Sequence, residues 1–474
     1  MVNKKRTEIA HPIGKFILLN WICSVILFLG SCSGPVTPEY HHTELELSKS
    51  VDLDYLLYIP TNYDPESEWP LLLYLTGIET AEDISLIKDH GPPFALEHGL
   101  NPDFFLLAPK LPGDVHWDAE ALMALLANIQ AEYQINVNQL YVTGMGDRGG
   151  WGAWDVAASY PGTFSKVAPI SAPACTEICR VEDASIRIYH GGLDTLVPVE
   201  DAVNMHFELY YYCKSDVQLV VYDSLGHEIG DQVYSNNEFW LWLTGSLLTA
   251  GPPVGKALEG HFSTSLTRIV EDNYLLYLPR KYEKSGKTWP LVVFLHGSGS
   301  AIENIEKIRS GGPPKLVEEG MDSEFILLAP QLYANEPWDI DRVHEIIEKI
   351  MDDYRVDSAR IYLTGLSRGG FGTWELAVSY PDLFAAVAPI AARDIPGVER
   401  LIHSNIWIFH GHQDDGVPWQ GSQFMYNRLK NVGANVKLTL YDGVGHNAWD
   451  PTYENVEFWQ WMLGQKKQTN GAKK

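Results

Sequence analysis

The chain is written twice. Leu56-Leu57-Tyr58-Ile59-Pro60 returns as Leu275-Leu276-Tyr277-Leu278-Pro279, Gly91-Pro92-Pro93 as Gly312-Pro313-Pro314, Leu106-Leu107-Ala108-Pro109 as Leu327-Leu328-Ala329-Pro330, and Ser159-Tyr160-Pro161 as Ser379-Tyr380-Pro381, at an offset of 219 to 221. A period of this length far exceeds a solenoid repeat and matches a whole domain. The 474 residues are therefore expected to form a tandem duplication, with units over 40–248 and 261–465. Gly251-Pro252-Pro253 and nearby small residues mark 249–260 as the linker. A hydrophobic fraction of 45% is ample for two packed cores.

In the second copy short apolar runs alternate with helical patterns. Strands are expected at Leu291–Leu295, Phe325–Ala329, Ile361–Thr364, Ala385–Ile390, Ile406–Phe409 and Val436–Tyr441. Helices are expected at Val343–Tyr354, after Gly369, at Gln420–Asn431 and after Tyr453. Strands buried on both faces and joined by helices imply an α/β fold with a doubly wound, mainly parallel sheet.

Gly365-Leu366-Ser367-Arg368-Gly369-Gly370 lies between an expected strand and an expected helix. In that context G-x-S-x-G reads as a nucleophile elbow, with small residues where strand and helix approach each other and the serine pushed outward. A serine hydroxyl needs a base, and the base needs an acid to hold its tautomer. His446, in Gly445-His446-Asn447, follows the last strand and is the candidate base. Asp414 and Asp415 compete for the acid, and the repeat favours Asp414, because Asp194 of His190-Gly191-Gly192-Leu193-Asp194 aligns with it while Thr195 stands opposite Asp415. Amide donors for an oxyanion are expected from Arg368 and from Ser298 in Leu295-His296-Gly297-Ser298-Gly299, with Gly299 as the alternative to Ser298. His296 reads as an organiser of that loop, and His344 and His403 as surface residues.

Taken together, the HG loop, GLSRGG followed by Trp374, HGxxD followed by Val417-Pro418, and GxGH followed by Trp449 resemble the α/β-hydrolase esterases related to polyhydroxybutyrate depolymerases, feruloyl and acetyl xylan esterases and the catalytic domain of prolyl oligopeptidases. The resemblance covers about Thr264 to Leu463. It implies that this copy hydrolyses carboxylic esters without metal or organic cofactor, and with the internal repeat it leads to an expectation of two tandem α/β-hydrolase domains. Acyl, acetyl or feruloyl groups on a polysaccharide-derived alcohol are the candidate substrates. Trp338, Trp374, Trp419 and Trp449 are candidates for lining a sugar cleft. A prolyl oligopeptidase-type peptidase is the weaker alternative, because the remaining chain has no room for a propeller.

The first copy has lost the serine. Its elbow reads Gly144-Met145-Gly146-Asp147-Arg148-Gly149-Gly150, one residue longer than its counterpart, so either Gly146 or Asp147 stands opposite Ser367. Asp147, Asp194 and His227 then form a degenerate site. An aspartate nucleophile is one reading, and a non-catalytic structural or binding unit is the favoured one. If the second site were vestigial too, the whole chain would be a binding protein.

Lys4, Lys5, Arg6 and Lys15 precede an apolar run from Phe16 to Gly30, which is too short to span a bilayer and reads as an export signal. Leu29-Gly30-Ser31-Cys32 resembles a lipobox, so 1–32 is expected to be a lipoprotein signal, with Cys32 lipidated and the chain anchored to a bacterial membrane. Cys175, Cys179 and Cys213 are left for a disulfide whose pairing stays open. No zinc-type spacing is present. A formal charge of -26 gives no electrostatic reason to bind nucleic acid.

Overall fold

The computed structural model describes residues 37–467 except 78–82, 99–102, 112–115, 176–177, 182, 246–256, 301–303 and 334–335. Cys32 and most of the 249–260 linker thus lie outside the described residues. The first half carries strands β1 (Glu39–Tyr58), β2 (Trp69–Leu75), β3 (Phe105–Pro109), β4 (Ile135–Met145), β5 (Lys166–Ile170), β6 (Ser185–Gly191) and β7 (Asp216–Tyr222). The second carries β8 (Leu258–Tyr277), β9 (Trp289–Leu295), β10 (Ile326–Pro330), β11 (Val356–Leu366), β12 (Ala386–Ile390), β13 (Asn405–Gly411) and β14 (Asn435–Tyr441).

These form one 14-stranded sheet in the order β14-β13-β12-β11-β9-β10-β8-β1-β3-β2-β4-β5-β6-β7. The second half of that order mirrors the first. Within each half the pairs from β2 to β7 and from β9 to β14 are parallel, while β1 and β8 pair antiparallel with β3 and β10. The join is the antiparallel pairing of β1 with β8, running from Glu39↔Leu276 to Leu57↔Leu258. Ser48 faces its own counterpart Thr267 there, with the two hydroxyls 3.2 Å apart, so a pseudo-two-fold axis passes between them. Two features depart from the sequence expectation. The copies share one sheet, and Leu258–Gly260 of the expected linker already belong to β8.

The expected elements of the second half form with shifts of a few residues. The helix Ile340–Asp353 begins where Asp339 accepts the amide of Arg342 at 3.0 Å, and it presents Val343, Ile346, Ile347 and Ile350 to the sheet, all fully buried. The spacing of these four residues is that of one helical face. Each such side chain contributes about 1.5–3 kcal/mol by leaving water. This helix and Arg368–Ser379 pack on one face of the sheet. Tyr453, Phe458 and Met462 from the C-terminal helices pack on the other. Helices on both faces are what makes β9, every residue of which is buried, a continuous apolar run.

Charged residues bind the halves together near the axis. Lys49 of β1 contacts Asp118 and Glu120 of its own half and reaches Asp341 of the other at 3.2 Å. Its counterpart Arg268 makes a bidentate pair with Asp339 and lies 3.6 Å from Glu120. Cys179 and Cys213 form the disulfide, and Cys175 is buried outside it.

Candidate active site

Four strand ends at the carboxyl edge of the second half converge, as expected of an open α/β sheet. β11 ends at Leu366, and Ser367 follows with φ 53° and ψ -122°, a left-handed backbone that a side-chain-bearing residue rarely adopts. The turn is held from both sides: the Ser367 amide donates to the Ile390 carbonyl at 2.9 Å, and the Phe371 amide donates to the Ser367 carbonyl at 3.1 Å. Such a conformation costs on the order of 1–3 kcal/mol and persists only when its surroundings over-determine it. Gly365 is required by close approach, since an added Cβ would meet the Gly369 carbonyl oxygen at 2.2 Å.

His446, beyond β14, places Nε2 2.9 Å from Ser367 Oγ and Nδ1 2.7 Å from Asp414 Oδ2. Asp414, beyond β13, is fixed through its other oxygen, which accepts the amides of Gly416 and Val417 at 2.9 and 2.8 Å. Burial works against its charge, but hydrogen bonds from His410, His446 and the Val417 amide override burial and hold the carboxyl well below the usual carboxylate range. An ionised Asp414 can only accept, so His446 Nδ1 donates and Nε2 is left to accept the serine proton. Asp415 is exposed and takes no part in this chain of contacts. Buried His410 lies behind the acid, its Nε2 2.9 Å from the Val417 carbonyl and 3.3 Å from Asp414 Oδ2. Its position in the HGxxD run was the available signal for this supporting role, which the sequence reading did not assign.

The loop after β9 reaches the same place. A Cβ added at Gly297 would sit 3.3 Å from Ser367 Cβ, which brings the backbone of 297–299 beside the nucleophile together with Arg368 at the start of its helix. Ser298 opens the short turn Ser298–Ser300. His296 organises this loop: its Nδ1 lies 2.9 Å from the Gly297 carbonyl, while Nε2 accepts the Leu332 amide at 2.9 Å. Burial pushes its pKa down to about 4, which keeps it neutral as that pattern requires. Trp449 meets the His446 ring edge-on at 5.3 Å, and Trp419 meets His412 at 4.7 Å. Trp374 is fully buried core, and Trp338 packs against His296, also buried, so neither offers the Ser367 site an open ring. His403 is exposed, whereas His344 is half-buried and stacked on Tyr380 at 3.8 Å.

Residues 270–471 match the family model described as a putative esterase. The similar curated proteins include poly(3-hydroxyalkanoate) depolymerase C of Paucimonas lemoignei, 33% identical over 187 residues that make up 35% of this chain and 42% of that protein. Poly(3-hydroxyoctanoate) depolymerase of Pseudomonas fluorescens is 26% identical over 195 residues, 34% of this chain and 69% of that protein. A probable feruloyl esterase C of Aspergillus flavus is 26% identical over 189 residues, 38% of this chain and 69% of that protein. The second half is thus similar to esterases. The chain spans less than half the length of the first of these relatives, and each match covers little more than a third of the chain.

The first half repeats part of this arrangement. Asp194 and His227 sit as Asp414 and His446 do: His227 Nδ1 lies 2.7 Å from Asp194 Oδ2, whose other oxygen accepts the amides of Leu196 and Val197. Burial opposes protonation of His227, but the hydrogen bond and charge of Asp194 raise its pKa. Gly146, not Asp147, takes the serine's place. It carries the positive φ of 78°, and a Cβ added to it would lie 3.2 Å from His227 Nε2. A Cβ added at Gly144 would approach the Gly149 carbonyl as one at Gly365 approaches that of Gly369, so the extra residue falls in the first helical turn. Asp147 is thereby turned away from the position of Ser367, and its carboxylate lies 3.2 Å from Arg428 of the second half.

Proposed function

We propose that the protein is a serine hydrolase of carboxylic esters acting through an acyl-enzyme at Ser367. His446 Nε2 takes the hydroxyl proton as Ser367 Oγ attacks the ester carbonyl carbon. The negative charge that develops on the carbonyl oxygen is met by the backbone amides of Arg368 and Ser298. Collapse of the tetrahedral species breaks the bond to the alcohol oxygen, which leaves with the proton from His446. Water, deprotonated by the same imidazole, then cleaves the acyl-enzyme to the acid and returns the serine. Asp414 holds the imidazole in the tautomer this needs and balances the imidazolium. The observation that carries the reading is the continuous chain Ser367 Oγ, His446, Asp414 at 2.9 and 2.7 Å, built on a strained turn at the carboxyl edge of the sheet.

The names of the relatives, polyester depolymerases and a feruloyl esterase, support an ester substrate and leave the alcohol half to be assigned. The chain is read as two tandem hydrolase units, of which the first is non-catalytic because Gly146 supplies no nucleophile. Export and lipidation at Cys32 complete the reading, with the esterase held at a bacterial membrane. Metabolic labelling with a fatty acid analogue, lost in Cys32→Ala, tests the anchor.

The decisive experiment is covalent labelling with a fluorophosphonate, followed by mapping of the adduct. A single adduct on Ser367, lost in Ser367→Ala together with a fall of aryl acetate hydrolysis on the order of 10⁵-fold or more, is the expected result. Labelling elsewhere, or unchanged hydrolysis in Ser367→Ala, overturns the assignment.

A further inference from the structure

The duplication builds a second concave site that neither copy could form alone. A cavity of about 680 Å³ lies between the halves, over the pseudo-two-fold axis. That volume falls within the range of about 300–1,000 Å³ common for small-ligand sites. Its walls carry the same residues from both copies: Trp117 with Trp338, Tyr160 with Tyr380, and Lys49 with Arg268. None of its lining residues belongs to the Ser367, His446, Asp414 chain. The helix Arg368–Ser379 connects the two places, with the nucleophile before its first residue and Ser379 in the cavity wall. At 1.5 Å per residue the two lie roughly 18 Å apart along that helix.

The cavity is lined by polar groups that the fold leaves unused. Among the described residues neither ring nitrogen of His116 has a hydrogen-bond partner, although both are buried, and the Trp338 indole N–H is likewise buried and unpartnered. An unsatisfied buried donor or acceptor costs about 1–3 kcal/mol, so these groups await a partner supplied from outside. Burial, with help from Arg400, Arg148 and Arg428, pushes His116 down to about 3, so it stays neutral with one donor and one acceptor nitrogen. Asp155, also in the wall, is pushed up to about 7 by burial and by Asp118, so near neutrality its carboxyl is partly protonated and can donate as well as accept. The cations of the wall already have partners: Lys49 has Asp118, Glu120 and Asp341, Arg268 has Asp339, and Arg180 and Arg400 donate to the carbonyls of Ala158 and Val378. Beside these charges the wall carries indole and phenol rings and the neutral donors and acceptors of His116 and Trp338. Carboxylates in the wall outnumber its cations, which disfavours an anion.

We propose that this inter-unit cleft binds a short neutral oligosaccharide. The hydroxyls of such a ligand pair with donor-and-acceptor groups of this kind, and its C–H faces stack on aromatic rings. The cleft holds one ligand per chain. It deepens the esterase reading, resting on it only for the consequence that the ester acted on at Ser367 is carried by the same carbohydrate, gripped at a distance from the bond that is cut.

The test is calorimetric titration of the full chain, purified in a non-glycosidic detergent, with xylotetraose, cellotetraose and mannotetraose, and with trigalacturonate as the anionic comparison. Saturable binding of at least one neutral probe at one site per chain is expected, unchanged in Ser367→Ala. His116→Phe should weaken it at least tenfold while leaving the melting temperature level or higher, because an apolar ring of similar shape removes two unsatisfied nitrogens. A purely structural His116 would not produce that split. Should His116→Phe fail to fold, Asp155→Ala gives the same reading, with at least a tenfold loss. Binding of none of the neutral probes, binding of trigalacturonate alone, or binding indifferent to the cleft variants overturns the proposal. So does binding abolished by the phosphonate adduct on Ser367, which would put the sugar in the catalytic pocket. Phosphonate labelling without sugar binding sinks the cleft and leaves the esterase standing. Sugar binding without labelling does the reverse.

Discussion

Replacing Asp414 by asparagine should cost about 10⁴ in kcat with little change in KM, and the structure supplies the reason. The two amides of Gly416 and Val417 both donate to Asp414 Oδ1. They will therefore keep the carboxamide oxygen on their side and turn its NH₂ towards the site Oδ2 now occupies, 2.7 Å from His446 Nδ1. An NH₂ there donates where a carboxylate accepted. His446 must then carry its proton on Nε2, facing Ser367 Oγ at 2.9 Å, and the serine loses its acceptor. A factor of 10⁴ corresponds to about 5.4 kcal/mol in the barrier, more than a surface hydrogen bond could account for. The assay is steady-state hydrolysis of an aryl acetate across pH, with the rate of fluorophosphonate labelling as a second reading of serine nucleophilicity. Asp415→Asn serves as the comparison, because that side chain is exposed. Asp414→Asn within tenfold of the unmodified protein, or Asp415→Asn falling equally far, would refute the tautomer argument.

Gly365→Ala should abolish both labelling and soluble yield, because its Cβ would press to 2.2 Å on the backbone carbonyl of Gly369. A well-folded, active alanine variant would show that strand and helix part more easily than the elbow implies. Asp147→Ala should leave aryl acetate hydrolysis unchanged and lower the melting temperature slightly, since the 3.2 Å contact to Arg428 is partly exposed and worth at most about 1 kcal/mol. A collapse of hydrolysis would instead make Asp147 a reacting group. Asp394 is buried, and burial raises its pKa above the ordinary carboxylate value. The folded protein thus binds the Asp394 proton more tightly than the unfolded chain does. Its contribution to stability is complete below the unfolded pKa and falls away as pH rises through the folded one. Asp394→Asn should therefore gain melting temperature over the unmodified protein at pH 8 and not at pH 4, as scanning calorimetry would read. An equal difference at both pH values would remove Asp394 as the cause.

The order of Ser367, Asp414 and His446 could be read from the sequence because each follows a short apolar strand at a fixed place in the fold, and strands buried on both faces announce themselves as apolar runs. The long strands β1 and β8 were invisible for the complementary reason. In β8 half-buried residues alternate with exposed ones from Leu258 to Glu271, so the segment has little apolar content to mark it, and its partner is the same segment of the other copy more than two hundred residues away. The choice between Gly146 and Asp147 could not be made from letters, because one inserted residue allows two equally good alignments. Backbone φ at Gly146 and the line from its missing Cβ to His227 decide it. The pairing of Cys179 with Cys213 rests on tertiary proximity between a short helical turn and the end of a distant helix. Trp338 and Trp374 show why tryptophan was a poor guide to the mouth of the catalytic site: both are buried, one near the inter-unit cleft and the other in the core.

A repeated unit with Gly146 where its counterpart has Ser367 is under no obvious constraint to be kept, unless it does something else. Here the sheet supplies one reason. Without its partner, β8 would leave the far edge of its half-sheet unpaired from Leu258 to Leu276, a long template for aggregation of the kind that natural sheets cover. β1 covers that edge, and the ion pairs of Lys49 with Asp341 and of Arg268 with Glu120 pin the cover in register. Covering an edge, however, does not require His227 to remain hydrogen-bonded to Asp194, nor the ring nitrogens of His116 to stay buried without a partner among the described residues. The first feature is inexpensive, since the pair satisfies itself once the loops are in place. The second is not, because isolated buried nitrogens are a standing penalty that a single substitution to an apolar ring would relieve. On the proposed reading, the unused groups of the cleft, more than the Asp194–His227 pair, therefore mark where the first copy acts on something outside itself.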